Sequence, residues 1–143
     1  LRSRLPKIIR PKKIIDQVDI NLLDRDIHML RNENCKLLDQ RDFEIFFTTA
    51  DLIPNLLREI GRLREISFRE IGEGTDQEID LDRYDKFYRH LILWDNFQKK
   101  IAGAYRIGFG GEIISAYGID GLYISSLFNI DAAVGSILRK TIE

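Results

Sequence analysis

Apolar positions along the chain change period several times, and each change marks a new element. From about Asp19 to Asp39, Leu23, Ile27, Leu30, Asn34 and Leu37 recur at steps of four and three. That spacing lines one face of a helix, with Asp19 placed to cap it. Phe43-Glu44-Ile45-Phe46-Phe47-Thr48 is rich in aromatic and β-branched residues and predicts a strand. The strongest helical pattern spans Asp51 to Ile71, where Pro54 fits only in the first turn. Its apolar stripe is Ile53, Leu56, Leu57, Ile60, Leu63, Phe68 and Ile71, and Arg58, Arg62, Glu65 and Arg69 fall on the opposite face. Gly72-Glu73-Gly74 ends this helix, and an acidic loop runs on to Asp85.

Two further strands are expected, His90 to Asp95 and Ile101 to Ile107, joined by a hairpin loop over Asn96 to Lys100. Gly108, Gly110 and Gly111 break the second strand. A short helix over Glu112 to Tyr117, a strand or extended segment over Leu122 to Phe128, and a helix around Asp131 to Lys140 complete the reading. Strand, long helix, hairpin and mixed elements predict an α+β fold, a largely antiparallel sheet with packed helices.

Composition narrows the function classes. The 143 residues are 44% apolar and 31% charged, enough for one domain or a domain with an arm. A net charge of −1 gives no electrostatic case for nucleic acid. Apolar runs are a few residues long, far below the roughly 20 that span a bilayer. Cys35 is the single cysteine, so no internal disulfide can form and a cytoplasmic, reducing compartment fits. His28 and His90 lack partners at ligand spacing, so no metal is expected. Residues 1–13 carry Arg2, Arg4, Lys7, Arg10, Lys12 and Lys13 without an acid, broken by Pro6 and Pro11. Such a basic arm is either a solvated linker or a contact for an anionic membrane surface, where each basic residue contributes on the order of 1 kcal/mol. The chain opens on Leu1 and closes on Lys140-Thr141-Ile142-Glu143 without a polar tail, so we expect a fragment.

Arg64 is the sharpest candidate for chemistry, because it falls within the apolar stripe between Leu57, Ile60, Phe68 and Ile71. A guanidinium there needs a carboxylate, either the protein's own or a ligand's. Asp80, Asp82 and Asp85 supply acids in the following loop. They would hold a cationic amine or neutralise Arg64, and alternation points Asp80 and Asp82 the same way. Arg106 shares a strand face with Ala102 and Ala104, leaving Ile101, Gly103, Tyr105 and Ile107 on the other. It has room to reach a ligand, or to pair across the hairpin with Asp95. Gly108-Phe109-Gly110-Gly111 lacks the Lys and Ser/Thr of a phosphate loop and reads as a turn. Trp94 and Tyr105 are expected in the core, and Cys35 is expected to be an inert helical residue.

Arg64-Glu65-Ile66-Ser67-Phe68, Asp80-Leu81-Asp82-Arg83-Tyr84-Asp85, Leu91-Ile92-Leu93-Trp94-Asp95 and Ile101-Ala102-Gly103-Ala104-Tyr105-Arg106 form a spaced set. This set resembles the front half of the hemolysin-type N-acyltransferases that make ornithine and glycine lipids. These belong to the GNAT superfamily and are related to acyl-homoserine lactone synthases. The resemblance covers about residues 43–143. Ile60-Gly61-Arg62-Leu63-Arg64-Glu65 with Gly72-Glu73-Gly74-Thr75 further resembles bacterial members in which a phospholipid-type acyltransferase domain comes first. It implies two parts: a basic arm and linker helix over residues 1–40, and the acceptor-side half of a GNAT-like domain over 41–143. It also implies fatty acyl transfer from acyl-CoA or acyl carrier protein to a small amino acid, with no bound cofactor. The setting would be aminolipid synthesis in the cytoplasm, at the inner membrane face. Arg64, Phe68, Asp82, Asp85 and Arg106 would then form the acceptor site, with Glu143 near the reacting amine as its base. An acyl-homoserine lactone synthase and a non-catalytic domain that kept the fold are the competing expectations.

Overall fold

Asp19 opens the first helix as expected, its side chain accepting the Asn21 N–H at 2.7 Å. In the computed structural model, which describes residues 11–143, this helix is α1, Ile20–Asn32. It is shorter than its apolar period predicts. Asn34 takes a left-handed φ of 55° and the chain turns into strand β1, Lys36–Gln40. Asparagine tolerates that conformation because its short polar side chain bonds locally. Asn34, Cys35 and Leu37 therefore lie beyond the helix, and Leu37 is exposed on an edge strand. Arg2, Arg4, Lys7 and Arg10 of the basic arm fall outside the described residues.

Strands β2 (Phe43–Thr48), β3 (Arg89–Asp95) and β4 (Lys100–Ile107) match their predicted places. The sheet is antiparallel throughout, in the order β1-β2-β3-β4. The β3–β4 hairpin turns on Asp95, whose carboxylate accepts the N–H groups of Phe97 and Gln98 at 2.9 and 2.8 Å. Asp95 is thus spent on the turn and does not pair with Arg106.

One irregularity decides where β4 points. Leu93 pairs with Gly103 but Trp94 pairs with Ile101, which leaves Ala102 as the extra residue of a bulge. A bulge shifts side-chain parity by one. Ile101, Ala104 and Arg106 therefore share a face with Trp94, Ile92 and His90. This corrects the sequence expectation, in which strict alternation put Ile101 on the face opposite Arg106. Tyr105 stands on the outer face and is 73% exposed, so it is not a core residue, whereas Trp94 is fully buried.

The inner face packs against α1 and the long helix α2, Pro54–Glu70. Leu23, Ile27, Leu30, Leu56 and Ile60 meet Phe46, Ile92 and Trp94 in one apolar core. Each such side chain contributes about 1.5–3 kcal/mol on burial. The stripe of α2 leaves this core past Leu63, so Phe68 and Ile71 are exposed. Its N-terminus has no side-chain cap of its own. Asp26 of α1 fills that role, accepting the N–H groups of Asn55 and Leu56 at 2.7 and 2.9 Å.

A second apolar cluster joins Tyr84 and Tyr88 to Ile113, Ile114 and Leu122. Ile113 and Ile114 belong to helix α3, Gly110–Tyr117. The segment expected as a strand or extended stretch over Leu122 to Phe128 instead holds a 3-10 turn, Tyr123–Ser126. It pairs with no strand among the described residues, and Leu127 and Phe128 stay exposed. The last expected helix shrinks to a 3-10 turn, Ala132–Val134, and helix α4, Gly135–Leu138.

Glu44 on β2 gathers Arg31 of α1, Lys36 of β1 and Asn96 of the hairpin. Burial pushes its carboxyl up, but these hydrogen bonds outweigh burial and hold it at about 2. A folded-state value below the unfolded one stabilises the protein above the ordinary carboxyl range. That stability is lost as pH falls through the folded value. We expect a loss on the order of 2 kcal/mol between about pH 5 and pH 2, tempered because Arg31 is partly exposed. Thermal melts against pH check this: Glu44→Gln should be less stable at neutral pH and nearly level with wild type at pH 2.

Candidate active site

Arg64 leaves the buried side of α2 where the apolar core ends. Its Nη1 donates to Asp85 Oδ1 at 2.8 Å and its Nη2 to Asp80 Oδ1 at 3.3 Å. Of the two readings open from sequence, the protein's own carboxylates are what Arg64 holds. Asp85 is only 2% exposed and also takes Arg106 Nη1 at 3.0 Å. Two guanidiniums thus converge on one buried carboxylate, which is what makes that burial tolerable.

The local backbone explains why Asp85 sits there. Asp82 caps the 3-10 turn Arg83–Lys86, accepting the Tyr84 N–H at 2.7 Å, while Asp85 Oδ2 accepts the Asp82 N–H at 2.8 Å. This reciprocal capping box fixes both carboxylates before any arginine arrives. Asp82 Oδ1 then takes Arg106 Nη1 at 2.7 Å. Burial lifts the Asp80 carboxyl above the ordinary aspartate range, and Arg64 offsets only part of that. His90, beneath the cluster, is pushed down by burial and is neutral at neutral pH. Its Nε2 lies 2.8 Å from the Asp85 carbonyl, which only accepts, so Nε2 carries the proton.

Arg106 also stands among three tyrosines. Its guanidinium carbon is 5.6, 5.4 and 5.3 Å from the ring centroids of Tyr84, Tyr88 and Tyr123. Each such contact contributes about 0.5–2 kcal/mol and keeps the cation from tumbling. Among the described residues, Arg106 Nε and Nη2 hydrogen-bond to no side chain or carbonyl, so donors remain for another acceptor.

Glu143 reaches the same place from the last residues. Gly108 and Glu143 exchange backbone hydrogen bonds at 2.7 and 2.8 Å, and Phe109 and Ile142 form an antiparallel bridge. Glu143 Oε2 accepts from Tyr88 Oη at 2.6 Å and the Tyr123 N–H at 3.1 Å, and Oε1 accepts from Ile124 N–H. A carboxylate offers about four acceptor positions. Among the described residues three are filled, which leaves one for a substrate proton. Tyr88 is pushed up by burial and by Glu143, so its phenol keeps its proton at neutral pH.

Arg64, Phe68, Asp82, Asp85, Arg106 and Glu143 all line one open cleft of about 820 Å³. Its rim and floor carry Arg64 and Arg106 against Glu73, Asp80, Asp82, Asp85 and Glu143, a surplus of negative charge. Such a surplus draws a cation inward. The tyrosines were not singled out from sequence. Tyr84 and Tyr88 flank Asp85 one helical turn apart, a spacing visible in the sequence, but nothing local marks Tyr123. Among the described residues no group of three His, Cys, Asp or Glu is arranged to hold a metal.

The family model for the acetyltransferase (GNAT) domain matches residues 63–143, which holds every residue of this cleft except Ile60. The chain belongs to the GNAT acetyltransferase family. Among curated relatives of this GNAT chain, a glycine N(alpha)-acyltransferase of Bacteroides thetaiotaomicron is 34% identical over 137 residues. That alignment takes in 92% of this chain and 40% of the relative. A glycine N(alpha)-acyltransferase of Phocaeicola vulgatus is 39% identical over 105 residues, 70% of this chain and 32% of the relative. The chain therefore spans well under half the length of either relative. No solved structure matches it at a significant level. The four-stranded antiparallel sheet with its packed helices is an α+β architecture, as the sequence predicts. No helix among the described residues is long and apolar enough to cross a membrane.

Proposed function

We propose that this chain carries the amine-acceptor part of an N-acyltransferase that moves a fatty acyl group from a thioester to a small amino acid. The observation that carries the reading is the Arg106 centre: a caged guanidinium with donors to spare, beside a carboxylate that retains one open acceptor position. The carboxylate surplus attracts the acceptor's ammonium group. Arg106 Nε and Nη2 offer its carboxylate a two-pronged contact. Arg64, already held by Asp80 and Asp85, serves instead to keep that network in place. Phe68 on the rim gives the acceptor an apolar wall.

The amine must lose a proton before its nitrogen attacks the thioester carbonyl. Glu143 takes that proton, directly or through water, while Tyr88 and two backbone N–H groups hold the carboxylate in place. The C–N bond forms as the C–S bond breaks, and the thiol of coenzyme A or of an acyl carrier protein departs. The names of the two relatives favour glycine as acceptor. The product is an aminolipid precursor that partitions into membranes, consistent with work in the cytoplasm at the inner membrane face.

The test is direct. Full-length protein supplied with a long-chain acyl-CoA, or the acylated carrier protein, and glycine should form N-acylglycine detectable by mass spectrometry. Methylamine, which lacks the carboxylate, should be a poorer acceptor by about tenfold or more, the loss of one charged hydrogen-bonded contact. Equal use of both amines would remove Arg106 from the acceptor site.

A further inference from the structure

One stripe of α2 is devoted to neither apolar core. Gly61, Glu65 and Arg69 recur every four residues, and all three hold the loop that follows the helix. Gly61 accepts the Asp80 N–H at 3.1 Å, and a Cβ on Gly61 would meet the Leu81 side chain at 2.6 Å. The absence of a side chain there is what lets the loop lie against the helix. Glu65 is fully buried and accepts from Thr75 Oγ1 at 2.5 Å, Thr75 N–H at 3.1 Å and Arg69 Nε at 2.6 Å. Burial pushes its carboxyl up, but Thr75 and Arg69 outweigh burial and hold it below the usual range. The helical period puts Glu65 and Arg69 on the face opposite the apolar stripe; their partners lie in a loop that no helical period shows.

Arg69 spends each of its nitrogens on a different segment. Nε goes to Glu65 on its own helix, Nη2 to the Gln77 carbonyl of the loop at 2.5 Å, and Nη1 to the Lys12 carbonyl at 2.8 Å. Lys12 and Ile15 in turn donate their N–H groups to the carbonyls of Asp76 and Glu78, both at 3.0 Å. Val18 donates to the buried Glu59 at 3.1 Å. Residues 12–18 therefore lie along the outside of the loop, helix α2 lies along its inside, and one guanidinium joins all three. That loop carries Asp80 and Asp82, the carboxylates that hold Arg64 and Arg106.

We propose that Arg69, with Glu65, is a positioning residue that braces the acceptor loop and makes residues 12–18 part of the acceptor site. Neither side chain touches the acceptor. They act by fixing Asp80 and Asp82, and through them the direction in which Arg106 presents its unspent donors. The link to acceptor use rests on the acyl-transfer reading above; the brace itself does not.

Hydrogen exchange on the full chain reads the brace directly. Arg69→Ala should speed exchange at the Thr75, Asp80 and Asp82 amides by at least about tenfold, the effect of losing a hydrogen bond to a charged group. Core amides such as Ile92 should be unmoved. In the acyl-transfer assay the same variant should raise the KM for glycine by a similar factor and leave kcat within about twofold, as expected when pre-organised acceptor binding is lost. Arg69→Lys keeps the charge beside Glu65 but cannot span two carbonyls, so it should restore Thr75 protection and only part of the KM. If Arg69→Ala opens the whole fold, Thr75→Val removes one donor and no charge and should give the same local pattern at smaller amplitude. Unchanged loop exchange in both variants overturns the brace. Faster loop exchange with an unmoved KM overturns its link to the acceptor. No turnover by the full-length wild-type protein would defeat the acyl-transfer reading and leave the exchange result to decide the brace alone.

Discussion

Asp85→Ala is expected to lower the unfolding free energy by about 3–5 kcal/mol, the cost of stranding a buried partner of opposite charge. Asp85 is held by both Arg64 and Arg106, and it accepts the Asp82 N–H that closes the capping box. Its removal leaves two guanidiniums facing a pocket with one carboxylate fewer and frees the turn that carries Tyr84 and leads to Tyr88. Urea unfolding followed by circular dichroism measures the loss. Combining it with Arg64→Met should restore part of the stability, because one stranded cation goes with it. If the single variant costs less than about 1 kcal/mol, the value typical of exposed pairs, the cluster is not the electrostatic centre described above.

The second large effect concerns activity rather than folding. Arg106→Lys keeps the positive charge beside Asp82 and Asp85, so the melting temperature should fall only slightly. A lysine offers a point charge where arginine offers a planar fork, and it cannot hold two aspartates while presenting two donors to a substrate. The value of kcat/KM for glycine should drop by about a hundredfold, equivalent to roughly 2–3 kcal/mol of lost charged hydrogen bonding. Steady-state kinetics on wild type and variant supply the comparison. Full activity in Arg106→Lys would mean that charge alone suffices, and that the fork geometry and tyrosine cage have no part in acceptor binding.

Much of the fold was legible because strands β2, β3 and β4 and helix α2 carry clean periods and clear breaks. Strand β1 was hidden by a helical period that runs on through Asn34 and Leu37. What stops the helix is one residue's left-handed backbone, and period counting is blind to that. The bulge at Ala102 escaped for a related reason, since an extra residue in a strand leaves no mark on composition. Of the site, Arg64 announced itself as a charge in an apolar stripe, and the aspartates followed as acids of the loop after its helix. The buried Glu65 and the caged Arg106 depend on partners from separate segments, Thr75 for one and Tyr123 for the other. Only folding brings those together.

The extra residue in β4 divides the strand into two independently tuned halves. At the hairpin end, Ile101 must face inward to complete the apolar core. At the cleft end, Arg106 must face the same way to reach Asp82 and Asp85. Five positions separate them, an odd number that a regular strand would resolve by turning one of the two outward. Ala102 absorbs the mismatch, so the strand acts as a coupling with a built-in phase adjuster. Packing demands at the hairpin and recognition demands at the cleft can then change without forcing each other out of register.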